Sequence, residues 1–187
     1  EGVKLPDSVT EETLETAPTL FRAAQILGHA LARVRATLNT PPTPTADGLN
    51  VNASMLLGGQ IGGGKMGLYL IYGQGNFIEC GVDTPYLQIG ENKYGKPILD
   101  RVVRPETSLE EGRKVALLSM DSTMRSNLGV GLPIDIAVAR RGALDLDVSR
   151  RIEVGDIYFH DLRERWSAAL RAAHKAIPRP PYGGLKG

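Results

Sequence analysis

The sequence has little from which to build a disulfide framework, a membrane span or a nucleic-acid-binding surface. Its one cysteine, Cys80, excludes an intrachain disulfide among these 187 residues and any cysteine-rich zinc site. The 22 Lys and Arg balance 21 Asp and Glu to a net charge of +1, so no basic field favours nucleic acid or an acidic membrane as a partner. No run of 18 apolar residues is present. These absences predict a soluble, cytoplasmic protein.

The remaining composition is that of a folded globular domain. Hydrophobic residues make up 42% and charged residues 23% of the chain, both near the usual values. A length of 187 residues predicts one compact domain over 1–187, with the Pro- and Gly-rich residues 178–187 as a flexible tail. The first residue is Glu1 rather than Met, from which we expect the beginning of the protein to be missing.

The hydrophobic pattern predicts four helices and six strands. Apolar residues recur every three or four positions from Leu20 to Leu38, which is typical of one face of a helix at 18–38. Ser108 and Glu111 form a capping box that begins a helix at 108–125. The other predicted helices span 91–103 and 156–177, and the predicted strands span 50–57, 66–72, 76–80, 86–89, 134–140 and 143–148.

The connections and one apolar run indicate how these elements are arranged. Prolines from Pro41 onward predict a loop at 39–49, because proline lacks the amide that a helix needs. Residues 68–72 are almost continuously apolar, which is typical of a strand covered on both faces. Arg141 and Gly142 form a two-residue linker that suits a tight hairpin.

A glycine-rich segment at 58–66 resembles a phosphate-binding loop in its sequence pattern but not in its structural context. From Gly59 it reads GxxxxGK, but Met66 stands where such a loop has Ser or Thr for magnesium. The segment also leads into a predicted strand, whereas a phosphate-binding loop leads into a helix whose amino end faces the anion. The sequence therefore favours a flexible hairpin turn over a nucleotide site.

The usual catalytic and metal-binding side chains form no recognisable group. His29, His160 and His174 lie on two predicted helices without the spacing of a metal site, which favours exposed histidines. Cys80 follows a predicted strand and more often packs than reacts there. No nucleophile-elbow motif or Ser, His and Asp grouping supports a hydrolase triad.

The segment 121–131, in which a helix ends in polar residues and glycines, has two interpretations. Carbonyl groups at a helix C-terminus lack intrahelical partners and can coordinate a cation. The simpler interpretation is an ordinary helix end with Asn127 and Gly129 in left-handed geometry.

Four local strings, in order along the chain at 57–60, 70–72, 75–79 and 88–91, resemble the middle of a proteasome-type β subunit. Three further strings resemble the bacterial proteasome-type peptidases of the Anbu, or ancestral β subunit, family. They are Tyr94-Gly95-Lys96-Pro97-Ile98-Leu99-Asp100-Arg101, Ser119-Met120-Asp121-Ser122-Thr123-Met124-Arg125-Ser126-Asn127-Leu128 and Val130-Gly131-Leu132-Pro133. The resemblance runs from Glu1 to about Trp166.

The resemblance implies an α+β fold of the N-terminal-nucleophile hydrolases, a four-layer αββα sandwich. In such enzymes the first residue of the mature chain is a threonine, whose hydroxyl is the nucleophile and whose α-amine is the base. Glu1 cannot serve as that nucleophile, and the matching segments place the opening strands and the threonine upstream of Glu1. We therefore assign no catalytic residue within the 187 positions.

The resemblance also implies two secondary sites. In proteasome-like subunits the turn matching Gly90 and Glu91 borders the active site, often with a serine where Glu91 stands. In the related ring peptidase HslV, the segment matching 120–127 binds a monovalent cation through backbone carbonyls. Those carbonyls correspond to Met120, Thr123 and Ser126, spaced three apart on one side of a helix end. No cofactor is required beyond a possible structural monovalent or divalent cation.

Three hypotheses for function remain open. The leading one is a cytoplasmic threonine endopeptidase subunit that cleaves peptides or unfolded proteins within a homo-oligomeric ring or helical assembly, without nucleic acid or membrane partners. The second is a non-catalytic subunit that supplies only an interface to a proteasome-like oligomer. The third, a nucleotide-binding module, depends on the segment 59–65.

Overall fold

The computed structural model describes residues 12–38 and 53–182. Glu1, the predicted loop at 39–49, the start of the predicted first strand at 50–52 and the end of the predicted tail at 183–187 lie outside the described residues. In chain order the elements are α1 (Leu20–Leu38), β1 (Ser54–Gly59), β2 (Gly67–Tyr72), β3 (Phe77–Glu79), α2 (Lys96–Val102), α3 (Leu109–Ser126), β4 (Ile134–Ala139), β5 (Leu146–Ile152) and α4 (Ile157–Ala176).

The chain divides into two compact units, and the prediction of a single domain stays a prediction. Unit one comprises Glu1–Asn92, Val103–Thr107 and Ala137–Val148, and unit two comprises Lys93–Val102, Ser108–Ile136 and Ser149–Gly187. The mixture of helices with small antiparallel sheets confirms the α+β class.

Unit one is built from α1 and a three-stranded antiparallel meander of order β1-β2-β3, as the strand spacing predicts. Leu20, Ala24 and Leu31 of α1 pack against Tyr69 and Ile71 of β2. The apolar stripe of α1 is buried only as far as Leu31, because Val34 and Leu38, which continue it, are exposed.

Helix α1 and the β2–β3 turn meet at two glycines. A Cβ atom on Gly28 would lie 2.3 Å from the carbonyl oxygen of Gly75, far inside van der Waals contact. A Cβ on Gly75, which has φ +94°, would lie 2.9 Å from the Gly28 carbonyl oxygen. The helix can pack on the turn at this distance only because both residues lack side chains.

The sheet face turned away from α1 is apolar but only half-buried. Leu56, Leu70 and Ile78 are direct neighbours across the three strands. Leu56 is 40% and Ile78 45% exposed, whereas Ile71 on the α1 face is fully buried. Residues 68–72 were expected to be covered on both faces. Among the described residues, only the face toward α1 is covered.

Unit two is built around α3 and α4. Its core comprises Leu117 of α3, Phe159 and Leu162 of α4, and the strand residues Ile134 and Ile152. Leu118, Met120 and Met124 pack against this cluster from α3. Pro97 lies in the first turn of α2, where a missing amide costs no helical hydrogen bond.

Two strand predictions are wrong. Residues 86–89 form no strand, and the sheets of the described residues are β1-β2-β3 and β4-β5, so five strands are present there rather than six. An apolar run becomes a strand only when a neighbouring strand pairs with it. The connection between β4 and β5 spans residues 140–145, because β5 begins at Leu146, so Arg141 and Gly142 are part of a longer loop.

The two long helices of unit two begin at side-chain caps. The Ser108 hydroxyl accepts from the Glu111 amide at 3.2 Å, and the Asp156 carboxylate accepts from the Phe159 amide at 2.9 Å. The Glu111 carboxylate pairs with Lys114 at 2.6 Å, so the structure shows only the Ser108 half of the capping box. No helix in residues 12–38 or 53–182 is both long and apolar enough to span a membrane.

Candidate functional site

The glycine-rich segment connects two antiparallel strands, as the hairpin interpretation predicts. Gly59 ends β1 and pairs with Gly67, where β2 begins. The exposed Lys65 ammonium pairs with the Glu79 carboxylate of β3 at 3.1 Å. The Gln60 side chain donates to the Gly64 carbonyl at 2.7 Å and accepts from the Gly142 amide at 2.8 Å. The loop leads into strand β2 rather than into the amino end of a helix, so the segment lacks the arrangement of a phosphate site.

The structure gives the surroundings of the histidines and of Cys80, whose roles stay predictions. His29, His160 and His174 are all exposed. The Cys80 thiol donates to the Thr84 carbonyl at 3.0 Å, and burial, followed by the Glu79 charge, raises the pKa of this thiol. A raised pKa lowers the thiolate fraction and hence the reactivity. Within the described part of the chain, no three His, Cys, Asp or Glu side chains are grouped as metal ligands.

The turn that the family resemblance places beside an active site has a backbone that favours glycine. Gly90 has φ +79°, in the left-handed region, and a Cβ added there would meet nothing within 4 Å. Glu91 is half-buried. Just before this turn, the Gln88 side-chain oxygen is buried and has no hydrogen-bond partner among the described residues. A buried acceptor of this kind requires a donor from elsewhere.

Helix α3 ends in extended rather than left-handed geometry. Asn127 has φ −135° and ψ 111°, and Gly129 is not among the described glycines with positive φ. The Asn127 side chain accepts from the Gly129 amide at 2.8 Å, which closes a short turn of the type that Asn side chains form. The prediction of left-handed Asn127 and Gly129 is therefore wrong, because this side-chain bond fixes the turn instead.

The three residues of the predicted cation site lie on α3 in different environments. The Thr123 hydroxyl donates to the Ser119 carbonyl at 2.9 Å, and the Thr123 carbonyl accepts from the Asn127 amide at 2.8 Å. Ser126 is the exposed last residue of the helix. Met120 lies more than one turn further in, where a regular helix uses the carbonyl for its own hydrogen bond.

This donor set fits a singly charged cation better than a divalent one. The carbonyls belong to a helix C-terminus, which carries partial negative charge. A carbonyl oxygen has two lone pairs, so the Thr123 carbonyl retains one after its bond to Asn127. The carboxylate nearest in sequence, Asp121, is engaged by two arginines.

Those two arginines surround a fully buried carboxylate that connects α3 to α4. Asp121 is 0% exposed. Arg163 of α4 donates from Nε to Asp121 Oδ1 at 2.6 Å, and Arg125 of α3 donates from Nε to Oδ2 at 3.2 Å. The Arg163 guanidinium also lies 5.6 Å from the centre of the Phe159 ring. This network holds the last turns of α3, with Thr123 and Ser126, against α4.

Sequence reasoning found the chain segments of interest but missed this network. The spacing of Asp121 and Arg125, four apart on a helix, was a visible signal for their pairing. Nothing in the sequence indicated Arg163, which lies 42 residues further along. The buried oxygen of Gln88 was equally invisible, because burial of a polar atom depends on tertiary packing.

No protein-family model matches the sequence, and no curated protein does. Solved structures, however, are strongly similar to the chain over most of its length. Anbu from Hyphomicrobium sp. strain MC1 is 44% identical, with a TM-score of 0.80, over 95% of this chain and 70% of that one. Anbu, the ancestral β subunit, from Yersinia bercovieri is 39% identical, with a TM-score of 0.82, over 92% of this chain and 70% of that one.

A third solved structure is a helical assembly of the Anbu complex from Pseudomonas aeruginosa. It is 41% identical, with a TM-score of 0.79, over 89% of this chain and 68% of that one. Three structures from different organisms thus match the same fold at identities near 40%.

Proposed function

This chain belongs to the Anbu family, the ancestral β subunits, and we propose that it forms part of a threonine-type endopeptidase subunit. Family membership is the observation that carries the proposal, and by itself it makes the chain a proteasome-related subunit. The finer proposal is hydrolysis of peptide bonds through an N-terminal threonine upstream of Glu1. None of the 187 residues is assigned a catalytic role.

In the proposed reaction the threonine hydroxyl attacks the peptide carbonyl while the α-amine of the same residue accepts its proton. An α-amine suits this role because its pKa of about 8 leaves a neutral fraction near neutral pH. The amine then returns the proton to the leaving nitrogen, and water hydrolyses the acyl-enzyme.

We propose that the fold is the four-layer αββα sandwich, formed by the single domain of residues 1–187 together with upstream strands. The apolar face of Leu56, Leu70 and Ile78 supports this proposal. A sheet face of this composition is normally covered by a second sheet about 10 Å away. Helix α1, which covers the opposite face, would form one outer layer.

We propose that Gly90 and Glu91 border the active site. The unpartnered oxygen of Gln88 beside this turn supports the proposal, because a substrate amide or an upstream segment could supply its donor. A glutamate in place of the frequent serine would give this border a carboxyl group instead of a hydroxyl.

We also propose a structural monovalent cation at the carbonyls of Met120, Thr123 and Ser126. Bound there, the cation would neutralise the partial negative charge at the end of α3. The position of Ser126 at the helix end and the second lone pair of the Thr123 carbonyl support it.

The proposed setting is a homo-oligomer in the bacterial cytoplasm that acts on peptides or unfolded proteins. The helical assembly of the Pseudomonas aeruginosa relative supports an assembly of identical subunits. The near-zero net charge of +1 and the single cysteine are compatible with this setting.

Intact-mass measurement and N-terminal sequencing of the natural protein, after treatment with an electrophilic threonine-directed inhibitor, test the catalytic proposal. We expect an N-terminal threonine and a mass increase of one inhibitor. An upstream Thr→Ala variant is the control, and it should assemble without being labelled. A native chain that begins at Glu1 and stays unlabelled would reject the peptidase proposal and leave a non-catalytic assembly subunit.

A further inference from the structure

Two arginines meet at one buried carboxylate and leave the outer end of each guanidinium group unused. Asp121 Oδ1 accepts from Arg163 Nε at 2.6 Å and from Arg125 Nε at 3.3 Å. Beyond Asp121, neither guanidinium group has a hydrogen-bond or ion-pair partner among the described residues. The Nη1 and Nη2 atoms of both arginines therefore remain available as donors.

The arginine pair, as we call Arg125 and Arg163, carries more charge than Asp121 balances. Two guanidinium groups face one carboxylate, which leaves one positive charge uncompensated by the described residues. The acids that follow on α4 do not supply the missing charge. Asp161 is already paired with Arg165, and Glu164, although next in sequence to Arg163, forms an ion pair with neither member of the arginine pair.

Both guanidinium groups are held in place and are still accessible. Asp121 is fully buried, so its carboxylate is fixed between α3 and α4. The Arg163 guanidinium also lies 5.6 Å from the centre of the Phe159 ring, a cation–π distance. The side chain of Arg125 is 48% exposed and that of Arg163 is 34% exposed. A ligand can therefore reach donors that folding has already ordered, which lowers the entropy cost of binding.

The shape and charge of the arginine pair fit a carboxylate group. The edge of a guanidinium group that carries Nη1 and Nη2 donates two parallel hydrogen bonds to a planar carboxylate. One carboxylate also carries the single negative charge that neutralises the cluster, whereas a phosphate dianion would leave an excess of negative charge. The fitting ligand is thus a monocarboxylate, supplied by a small organic acid or by the C-terminus of a peptide.

The arginine pair and the proposed cation site point in opposite directions along α3. Side chains on a helix lean toward its N-terminus, and Arg125 reaches back to Asp121 in this way, one turn earlier. The free carbonyl groups lie at the other end, where Ser126 is the last residue of the helix. An anion on the arginine pair and a cation on the carbonyls therefore do not compete for the same atoms.

We propose that Arg125 and Arg163 bind a carboxylate group on the solvent side of Asp121, with their Nη atoms as donors. Asp121 positions both guanidinium groups from the buried side. The inference is independent of the proposed peptidase reaction, because it uses only side chains of α3 and α4.

Titration of the full-length natural protein with sodium acetate tests the site. Sodium chloride keeps the ionic strength and the sodium concentration constant, so that the proposed cation site stays equally occupied. We expect acetate to raise the melting temperature in a saturable way, because a ligand of the folded state alone stabilises it by mass action. Isothermal titration calorimetry gives the dissociation constant.

Variants of one arginine locate the binding. Arg125→Gln removes one donor edge but leaves Asp121 paired with Arg163, and we expect it to raise the dissociation constant of acetate about tenfold or more. Arg125→Lys retains the charge without the planar edge and should weaken binding less. Arg165→Gln, the same change at an exposed arginine of α4, is the matched control and should leave the constant within about twofold.

Peptide probes distinguish the two sources of the carboxylate. Tighter binding of N-acetyl-alanyl-alanine than of acetate, with no binding of the corresponding C-terminal amide, would assign the site to a peptide C-terminus. Equal binding of the two carboxylates would assign it to small acids.

Three results would overturn the proposal. The first is the absence of a saturable effect of either carboxylate. The second is an equal dissociation constant in the wild type and Arg125→Gln, with circular dichroism showing intact helices in both. The third is tighter binding of inorganic phosphate than of acetate, which would contradict the choice of a monocarboxylate.

Discussion

The guanidinium of Arg163 on α4 donates to the carboxylate of Asp121 on α3 across 2.6 Å, and that carboxylate is wholly shielded from water. Arg125 contacts the same carboxylate at 3.2 Å. A buried charge is tolerated only when its partners remain in place. The packing of α3 against α4 therefore depends on three side chains acting together.

Removing the charge of Asp121 should destabilise the protein strongly. We expect Asp121→Asn to lower the free energy of unfolding by about 3 kcal/mol, because it leaves two guanidinium groups facing a buried neutral amide. Urea denaturation followed by circular dichroism measures the change. Asp100→Asn, which breaks the exposed pair between Asp100 and Lys96 of α2, is the matched control and should cost about 0.5 kcal/mol or less. Similar losses for the two variants would contradict this account of Asp121.

Any side chain introduced at the glycine contact between α1 and the β2–β3 turn should destabilise the protein. Gly28→Ala places a Cβ atom 2.3 Å from a backbone oxygen, so we expect a loss of about 2 kcal/mol or more in the free energy of unfolding. Gly112→Ala, in α3, meets nothing within 4 Å and should stabilise the protein by about 0.5 to 1 kcal/mol through helix propensity. Opposite signs in chemical denaturation are the expected result, and a stabilising Gly28→Ala would disprove the close contact.

The N-cap of α4 should contribute to acid sensitivity. The hydrogen bond from the Phe159 amide lowers the pKa of the Asp156 carboxyl most. Burial acts in the opposite direction, and the Arg150 guanidinium lowers the pKa further, so that it lies below its ordinary value. The folded protein thus keeps the charged form to a lower pH than the unfolded chain does. The stabilisation is complete above the ordinary pKa of about 4 and is lost as the pH falls through the depressed value.

We therefore expect the melting temperature of Asp156→Asn to fall less between pH 7 and pH 3 than that of the wild type. Asparagine still caps the helix, so the variant should fold at neutral pH. Asp156→Ser, a second uncharged cap, should behave in the same way. Wild-type pH dependence in both variants would show that the ionisation of Asp156 contributes nothing.

The proposed cation site predicts an ion-specific stabilisation. Sodium or potassium chloride should raise the melting temperature above that in choline chloride at equal ionic strength, and the rise should saturate, because a ligand of the folded state alone stabilises it by mass action. Magnesium chloride serves as the divalent comparison. Equal melting temperatures in all these salts would argue against the site.

The sequence predicted the elements that local pattern determines and failed where tertiary contacts decide. Helix α3 was located from Ser108 and its apolar run, and the β1–β2 hairpin from the strand that follows its glycines. The strand at 86–89 was mispredicted because a strand needs a partner, which an apolar run cannot reveal. The end of α3 was mispredicted because the side chain of Asn127 takes the place of a left-handed turn.

The candidate site was predictable only as far as family resemblance reaches. Gly90, Glu91 and the carbonyls of Met120, Thr123 and Ser126 were located by matching strings, and their roles stay predictions. The contact of Arg163 with Asp121 joins residues whose separation in sequence carries no periodic signal. Residues of this kind are found only when the chain is folded.

The paired glycines of unit one also determine which alternative packings the chain avoids. The apolar stripe of α1 repeats every seven residues, so by its pattern alone the helix could slide by two turns and still present leucines to the sheet. Only Gly28 allows the turn at Gly75 to approach, and a slide of seven residues would bring Phe21 or Arg35 to that point instead. A side chain of either size would collide with the turn. The two glycines therefore act against misfolded registers that the leucines alone would permit.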